Sequence, residues 1–464
     1  MLSIEYIREN TDSVRRNMIS RKVDPSNLDK LLVIDSKRIL IIQKINNLNE
    51  ERNKIAKEAS HNLKLREKGK KLKEEKEKLD IQFKEINLKF NTLINWIPNI
   101  LSNDVPVGNS EEDNVEVYAW IPKDGELLKN KLGKFDVSKK YMPAHVVHAD
   151  NNDFKIKDHL ELGRDLDIID TDQGALVSGS RFVYLKNEAV LLQMAIIDFL
   201  SRKLIKEGFM PLVPPLLVKD RVLYGTSHFP ADQNQVYAIE KDYTEENNRL
   251  YLVGSSEPSN FGYFMDKILD KEKLPQYFFA VTTCFRSEAG SWGKDVKGIK
   301  RLHQFDKLEM GAVSSYEDSG VVFEKLLDIN KWFWESLEIP YHIILKCSGD
   351  SGYYAASKQY DVEAWIPSQK KFMEVGTDTN ALDYQARVFN IRYKDNDGKL
   401  QFAHTINDTG SAVGRTLIAI MENYQQADGS IKVPNVLRDY LGFNFINGPV
   451  SRETRSNGSG SKGS

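Results

Sequence analysis

Apolar residues recur at sevenfold spacing near the start of the chain. Ile34, Ile41, Leu48 and Ile55 form one series, and Leu65, Leu72, Leu79, Ile86 and Leu93 a second. Phe83, Phe90 and Ile97 add a further series, offset by four from Leu79, Ile86 and Leu93. Such spacing lays one apolar stripe down a helix, the seam of a coiled coil. The short polar break at Ser60-His61-Asn62 predicts antiparallel neighbours, and Pro98 ends the second helix. At ~1.5 Å per residue, helices of roughly 30 residues are on the order of 45 Å long, a rod rather than a globule.

The pattern then changes. Residues 99–118 lack periodicity, carry Pro, Gly and Asn, and read as a linker. Beyond them the pattern is mixed, clearest from Lys157 to Gly442. A helix is predicted over Asn187–Lys206, with Leu192, Ile196, Phe199 and Leu200 on its apolar side and Gly208 as its stop. Phe209–Val218 is extended and proline-punctuated. Strands are predicted at Gln276–Phe285, Arg301–Met310, Tyr360–Ile366 and Lys371–Val375, and a last long helix from Ser411 to Gln425. Strand runs without strict helix alternation predict an α+β fold with an antiparallel sheet flanked by helices. The domains expected are 1–110, with a coiled-coil arm at about 30–97, then 111–445, then a disordered tail at 446–464.

Charge and composition exclude more than they identify. Lys+Arg total 65 against 67 Asp+Glu, which leaves the nucleic-acid question to local charge. Locally, Arg52–Lys78 holds eleven Lys/Arg and five Glu, a positive patch around the hairpin tip. A run of this kind is a solvated surface or a probe for a phosphate backbone. Few aromatics lie near it, so shape and backbone recognition is the functional version. No apolar run approaches the ~18 residues of a membrane span. The first twenty residues carry Glu5, Arg8, Glu9, Asp12, Arg15 and Arg16 and lack a signal-peptide apolar region, so a cytoplasmic setting is expected. Cys284 and Cys347 cannot build a disulfide framework or a four-thiolate zinc site, and are expected to be small buried residues.

Three stretches carry chemistry. Cys284–Glu288 and Arg301–Glu309 read as strands joined by the loop Ala289–Lys300. Alternation would put Arg286 and Glu288 on one face, and Phe305, Lys307 and Glu309 on one face of the partner. Such a face is either paired surface charge or a site for a phosphorylated aromatic ligand, where arginine meets the phosphoryl charge and phenylalanine stacks on a base. Gly410-Ser-Ala-Val-Gly414-Arg415 stands where the last helix is predicted to begin, and helix starts favour anions. It lacks the Gly-Lys-Ser/Thr ending of a phosphate loop. Ser255-Ser256-Glu257 is a helix cap with its acidic residue, or a carboxylate and hydroxyls for an ammonium and a small polar side chain.

Together these stretches resemble the seryl-tRNA synthetase family of class II aminoacyl-tRNA synthetases, from Met1 to about Gly442. The most specific are Phe285-Arg-Ser-Glu-Ala-Gly-Ser-Trp-Gly-Lys-Asp-Val-Lys-Gly, His303-Gln-Phe-Asp-Lys-Leu-Glu and Ala412-Val-Gly-Arg-Thr-Leu-Ile-Ala-Ile-Met-Glu-Asn-Tyr-Gln-Gln. The resemblance implies a six- or seven-stranded antiparallel sheet and a homodimer, with Pro214-Pro215 in the dimer-forming motif. It implies serine activation by ATP to seryl-adenylate, then transfer to the 3′ end of serine tRNA, with selenocysteine tRNA as a further acceptor the family admits. Carried over residue by residue, Arg286 contacts the α-phosphate and the serine carboxylate. Phe305, in the segment from Leu302, stacks on adenine; Arg415 covers the other adenine face and reaches the γ-phosphate; Glu288, beside Ser287, reads the adenine. Arg286, Glu288 and Arg415 are the catalytic set. Glu374 and Thr377, with Val375 and Gly376 between them, match the ATP and magnesium positions. Ser255, Ser256, Glu257, Glu309, Asn407 and Thr409 match serine-binding positions. Lys64, Arg66, Lys68, Lys70, Lys71 and Lys73 on the arm are expected to meet the tRNA. No set of zinc ligands like that of the family's zinc-dependent branch is found, so no zinc is expected.

The sequence also departs from the family. Ser255 replaces threonine, Val375-Gly-Thr-Asp-Thr-Asn380 replaces Ile-Ser-Ser-Cys-Ser-Asn, and Asn407-Asp-Thr-Gly-Ser411 replaces Asn-Gly-Ser-Gly-Leu. Pro258-Ser-Asn departs too. Hydroxyls survive at Ser255, Thr377 and Thr409, whereas Asp408 would add charge near the pocket floor. These changes surround the amino acid rather than ATP. They motivate two competing readings: a paralogue that activates another amino acid or loads a carrier protein, and a catalytically silent RNA-binding protein. The coiled-coil arm argues against carrier loading; Arg286, Glu288, Phe305, Glu374 and Arg415 argue against silence.

Overall fold

The sevenfold series fold into two long helices of a first unit, Met1–Ile100. The computed structural model describes residues 1–58, 63–122, 127–128, 154–240, 249–289 and 298–448. Helices α1 (Ile4–Glu9) and α2 (Thr11–Ser20) precede α3 (Ser26–Glu58) and α4 (Leu63–Ile94). Ile7, Val14, Met18, Leu28 and Leu31 are fully buried among the short helices and the root of α3. The arm beyond them is thinner: of the series residues Ile55, Leu72, Phe90 and Ile97 are buried, and the others are half-buried. Lys68 pairs with Glu51 at 2.6 Å, while Arg38 lies over the Phe90 ring at 4.3 Å, so α3 and α4 run antiparallel as the heptads predict. The break at Ser60–Asn62, most of the loop Ala289–Lys300, and the tail from residue 449 lie outside the described residues.

The second unit, Leu101–Ser464, is built on a nine-stranded sheet. Its strands are β1 (Val115–Trp120), β2 (Leu127–Leu128), β3 (Met210–Leu212), β4 (Gln276–Phe285), β5 (Gln304–Ser314), β6 (Tyr341–Leu345), β7 (Lys358–Ile366), β8 (Lys371–Leu382) and β9 (His404–Ala412). The order is β2-β1-β6-β7-β8-β9-β5-β4-β3. Every neighbouring pair is antiparallel except β3 with β4. The sheet is thus wider than the six or seven strands the resemblance implies. Part of the difference is the expected linker, where Val115–Trp120 pairs with β6. Cys284 and Cys347 are free and buried, as expected.

One face of the sheet is covered by α5 (Asn187–Lys206), α7 (Ser319–Ser336) and α9 (Val413–Asn423); α6 (Glu257–Gly262) and α8 (Tyr384–Phe389) are short. Leu192, Ile196 and Leu200 of α5, Leu326, Ile329 and Phe333 of α7, and Leu417 and Ile420 of α9 join Leu308, Met310 and Ala312 of β5 in one core. Their helical spacings turn one apolar stripe of each helix to the sheet. Burying each such side chain stabilises the unit by about 1.5–3 kcal/mol. The other sheet face is left for a cleft.

Two register shifts decide what that cleft displays. Met373 and Val375 of β8 point into the core, so regular alternation would send Glu374, Gly376 and Asp378 to the cleft. A one-residue shift in the pairing with β7, where Glu374 faces Glu363 and Gly376 faces Val362, reverses the alternation. Glu374, Thr377 and Thr379 all line the cleft as a result. On β9, Leu308 of β5 pairs with Ser411 and Glu309 with Thr409, leaving Gly410 between. A methyl group there would meet Leu308 at 2.8 Å, so a larger residue would have to displace that side chain. Gly410–Ala412 are therefore strand, not the Gly-rich turn expected, and the helix begins at Val413.

Candidate active site

The cleft has a volume of about 520 Å³ and gathers residues from β5, β8, β9, the start of α9 and several loops. Alternation along β5 turns Phe305 and Lys307 into it. Arg286 lies one residue past the end of β4, with its backbone N–H bonded to the His303 carbonyl at 3.0 Å. Its Nε donates to the Gly254 carbonyl at 3.0 Å, and its guanidinium sits 5.4 Å from the Phe305 ring centroid. This arginine is held at Nε, next to an aromatic face, with its terminal nitrogens making no hydrogen bond among the described residues. That arrangement suits an anion beside a flat ring.

Residues 286–288 are not strand, so alternation does not place them as expected. Glu288 has a left-handed backbone, φ +50°, and its carbonyl accepts from Arg181 at 3.2 Å. This turn brings Glu288 to the cleft by another route. Ser287 does not line it; the hydroxyl donates to the Asn234 carbonyl at 2.6 Å.

Across the cleft, Arg415 in the first turn of α9 donates to the Glu374 carbonyl at 2.8 Å and to its carboxylate at 2.9 Å. Desolvation by the cleft wall pushes the Glu374 carboxyl up, but Arg415 foremost, then Lys346 and Arg286, draw it below the ordinary value. Thr377 Oγ1 donates to Asp361 at 2.7 Å, and Lys346 holds the other Asp361 oxygen at 2.9 Å. Burial pushes the Asp361 carboxyl up to about 6. Among the described residues no three His, Cys, Asp or Glu groups converge as a metal cage. The hard oxygen donors of Glu374 and Thr377 nonetheless fit a magnesium ion that brings its own phosphate ligands, because magnesium is held by one or two carboxylates plus substrate phosphates.

At the other end of the cleft Ser255 and Glu257 appear together. Glu257 opens α6 and is 5 % exposed. Its Oε1 accepts from the Tyr353 hydroxyl and from Gln385 Nε2, each at 2.7 Å. Burial, then the nearby Glu309 charge, push its carboxyl up to about 7, against the pull of Tyr353, Gln385 and Lys307. Ser256 does not line the cleft: it stands at the cap position of α6 and accepts from Asn260 at 3.3 Å. Glu309 is set back as well, ion-paired with Lys307 at 2.5 Å and accepting from Asn407 at 3.3 Å. Lys307 also donates to Ser255 at 3.2 Å. Leu302, Val375, Gly376, Asn407 and Thr409 line the cleft where expected.

Asp408 does not lie on the pocket floor. It faces the helical side, fully buried, and accepts from Asn330 of α7 at 2.5 Å. Its cross-strand neighbour is Asp378, also fully buried. The reversed alternation in β8 turns Asp378 to the covered face, where ordinary alternation along β9, with Asn407 and Thr409 in the cleft, already puts Asp408.

Sequence reasoning left Lys307, Tyr353, Gln385, Asp361 and His228 without a site role. Lys307 had a signal, since the predicted face of Phe305 and Glu309 includes it. The others lie in separate stretches that meet only in the fold. On the arm, Lys64, Lys68, Lys70, Lys71 and Lys73 are exposed on α4; Arg66 lies in the same helix, its side chain outside the description. Lys68 is partly spent on Glu51. No helix among the described residues is long and apolar enough to cross a membrane.

A mostly antiparallel sheet that sets Arg286, Phe305 and Arg415 on one cleft fits the core of a class II aminoacyl-tRNA synthetase. Residues 237–424 match the family described as tRNA synthetase class II core domain (G, H, P, S and T), and residues 1–101 match the seryl-tRNA synthetase N-terminal domain. A serine–tRNA ligase of Borreliella afzelii is 39 % identical over 456 residues, covering 96 % of this chain and 99 % of the relative. The crystal structure of seryl-tRNA synthetase from Pyrococcus horikoshii complexed with ATP superposes with a TM-score of 0.82 at 36 % identity, covering 96 % and 99 % of the two chains. The cytoplasmic serine–tRNA ligase from Naegleria fowleri in complex with AMP gives 0.76 at 28 % identity, covering 96 % and 97 %. The chain belongs to the seryl-tRNA synthetase family.

Proposed function

We propose that this chain is a serine–tRNA ligase: it condenses serine with ATP to seryl-adenylate and diphosphate, then passes the seryl group to the 3′ end of serine tRNA. The observation that carries this reading is one arginine, Arg286, set between two halves of one cleft. Arg286 lies against Phe305 and the Gly254 carbonyl, and the next residues, Ser255 and Glu257, line the neighbouring end. A nucleotide on Phe305 and an amino acid at Glu257 would share Arg286.

The serine carboxylate attacks the α-phosphorus, and diphosphate leaves. Positioning and charge stabilisation do most of this work. Arg286 holds the α-phosphate and the serine carboxylate together and meets the charge that builds between them. Phe305 and Arg415 clamp adenine from its two faces, with Glu288 at its edge and Arg415 reaching the γ-phosphate. Glu374 and Thr377 would hold magnesium, which neutralises phosphate charge and orients the leaving diphosphate; the Arg415–Glu374 pair keeps that carboxylate ionised beforehand. Glu257 receives the ammonium. Ser255, Thr409 and Asn407 offer hydrogen bonds to serine, and a pocket that bonds a hydroxyl rejects alanine by being left unpaired.

The remaining parts of the reading concern the assembly. The 1–110 region would carry the tRNA on its basic arm, and 111–445 would carry the chemistry. The enzyme would act as a homodimer in the cytoplasm, with magnesium and without zinc. A specific departure favours a second reading, altered amino-acid choice: Ser255 and Val375–Asn380 differ from the family in the amino-acid half of the cleft. Amino-acid-dependent ATP–diphosphate exchange with serine, threonine, alanine, glycine and cysteine separates the two. Serine-selective exchange upholds the first reading; exchange led by another amino acid replaces it with the second, and none at all overturns both.

A further inference from the structure

We infer that Tyr353 is a positioning residue for amino-acid activation: its hydroxyl holds Glu257 in place and in the ionised form that can take up a substrate ammonium. The inference rests on the reading that this end of the cleft holds the amino acid. Of the two carboxylates the resemblance offers there, Glu309 is ion-paired with Lys307 and set back, whereas Glu257 lines the cleft. An ammonium therefore depends on Glu257.

Glu257 is poorly placed to stay charged without help. It is 5 % exposed, and the Glu309 carboxylate stands near it. Burial and a like charge both favour the protonated form. Two groups oppose this by donating to the same oxygen, Oε1: the Tyr353 hydroxyl and Gln385 Nε2. Gln385 is itself oriented, because its Oε1 accepts from Thr405 at 2.7 Å. It also donates to the Tyr353 oxygen at 2.9 Å.

The single proton of the Tyr353 hydroxyl can go to Glu257 Oε1 or to the Thr226 carbonyl, both within reach. An ionised Glu257 is the stronger acceptor and takes it. A protonated Glu257 can instead donate to the tyrosine oxygen, which sends the tyrosine proton to Thr226. The pair therefore has two bonded arrangements, and the ammonium selects one. The other charged or titratable groups around it are Glu309 and Lys307 on β5, with Asp232, Arg286 and His228 from the loops. Burial drives His228 down to about 3, so it stays neutral across the working range. Its ring meets Tyr353 edge-on at 6.0 Å.

The test is Tyr353→Phe in the full chain, read by serine-dependent ATP–diphosphate exchange between pH 6 and pH 9. Loss of one donor to a carboxylate raises its pKa by about one unit. From a Glu257 midpoint of about 7, the serine KM is expected to rise about fivefold at pH 7 and about ninefold at pH 6, and to converge with the parent near pH 9. The KM for ATP and the rate at saturating serine should move far less. A KM change that is the same at every pH, or none, overturns the inference. Should that variant misfold, Gln385→Met removes the other donor and must show the same pH dependence; a flat profile there also overturns it. Absence of serine-dependent exchange in the parent chain would instead count against the reading of the cleft.

Discussion

The Arg415 guanidinium lies 2.9 Å from the Glu374 carboxylate, so a helix start and a strand on opposite sides of the cleft are joined at its mouth. The pair places a cation where a triphosphate would lie, beside a carboxylate suited to magnesium. Arg415→Ala should lower exchange about 10²–10³-fold and raise the KM for ATP. Glu374→Gln should raise the magnesium concentration needed for half-maximal exchange, and chelation should abolish exchange reversibly in the parent chain. Exchange at parental rate in the arginine variant would remove Arg415 from the phosphate site.

Arg286 is tested separately from stability. Among the described residues it is held by a backbone bond to His303 and one side-chain bond to Gly254. Arg286→Ala should therefore cost about 100-fold or more in exchange while the melting temperature stays within a few degrees. Unfolding of that variant would show that the arginine braces the turn.

His342 clamps the sheet edge. Its Nδ1 meets Glu116 of β1 at 2.8 Å and its Nε2 meets Glu363 of β7 at 2.7 Å. Burial opposes the imidazolium, but the two carboxylates prevail and raise its pKa. The stability this supplies is full below the unfolded value of about 6.5 and is lost as pH rises through the higher folded value. His342→Gln should cost about 1.5–3 kcal/mol at pH 6 and clearly less at pH 9 by urea unfolding. An equal cost at both would mean the imidazole acts through packing alone.

Asp408 should work against the fold. It is fully buried beside Asp378, and one of its oxygens makes no hydrogen bond among the described residues. Burial first, and then the Glu309 charge, raise its pKa well above the ordinary range. The native state thus binds the extra proton, and stability falls as pH rises from about 4 toward the raised value. Asp408→Asn should stabilise the chain by about 1–3 kcal/mol at pH 8 and flatten this fall. A destabilised variant would show that the carboxylate has a necessary partner.

The arm should matter only to transfer. Replacing Lys68, Lys70, Lys71 and Lys73 by alanine should impair charging of serine tRNA, reduce its salt sensitivity, and leave exchange unchanged. Equal loss of both steps would contradict that division.

Local pattern determined a good part of this protein. Sevenfold apolar spacing specified α3 and α4 because a helix repeats nearly in step with it, and the stripe and stop of Asn187–Lys206 gave that helix its observed ends. Gln276–Phe285 was likewise readable to the residue. Short motifs carried Arg286, Phe305, Glu374 and Arg415 into one cleft. Tertiary structure decided the rest. Whether Val115–Trp120 is linker or strand depends on β6, whose partner residues lie more than two hundred positions away. Which β8 residues face the cleft depends on a pairing shift that reverses the faces of the residues beyond it, which put Thr377 beside Glu374 and sent Asp378 to the far side, against Asp408 of β9. The state of Glu257 depends on Tyr353 and Gln385, distant in sequence and adjacent only after folding. Periodicity reports which face a residue takes within its own element; burial, register and charge coupling are properties of the neighbours that the fold supplies.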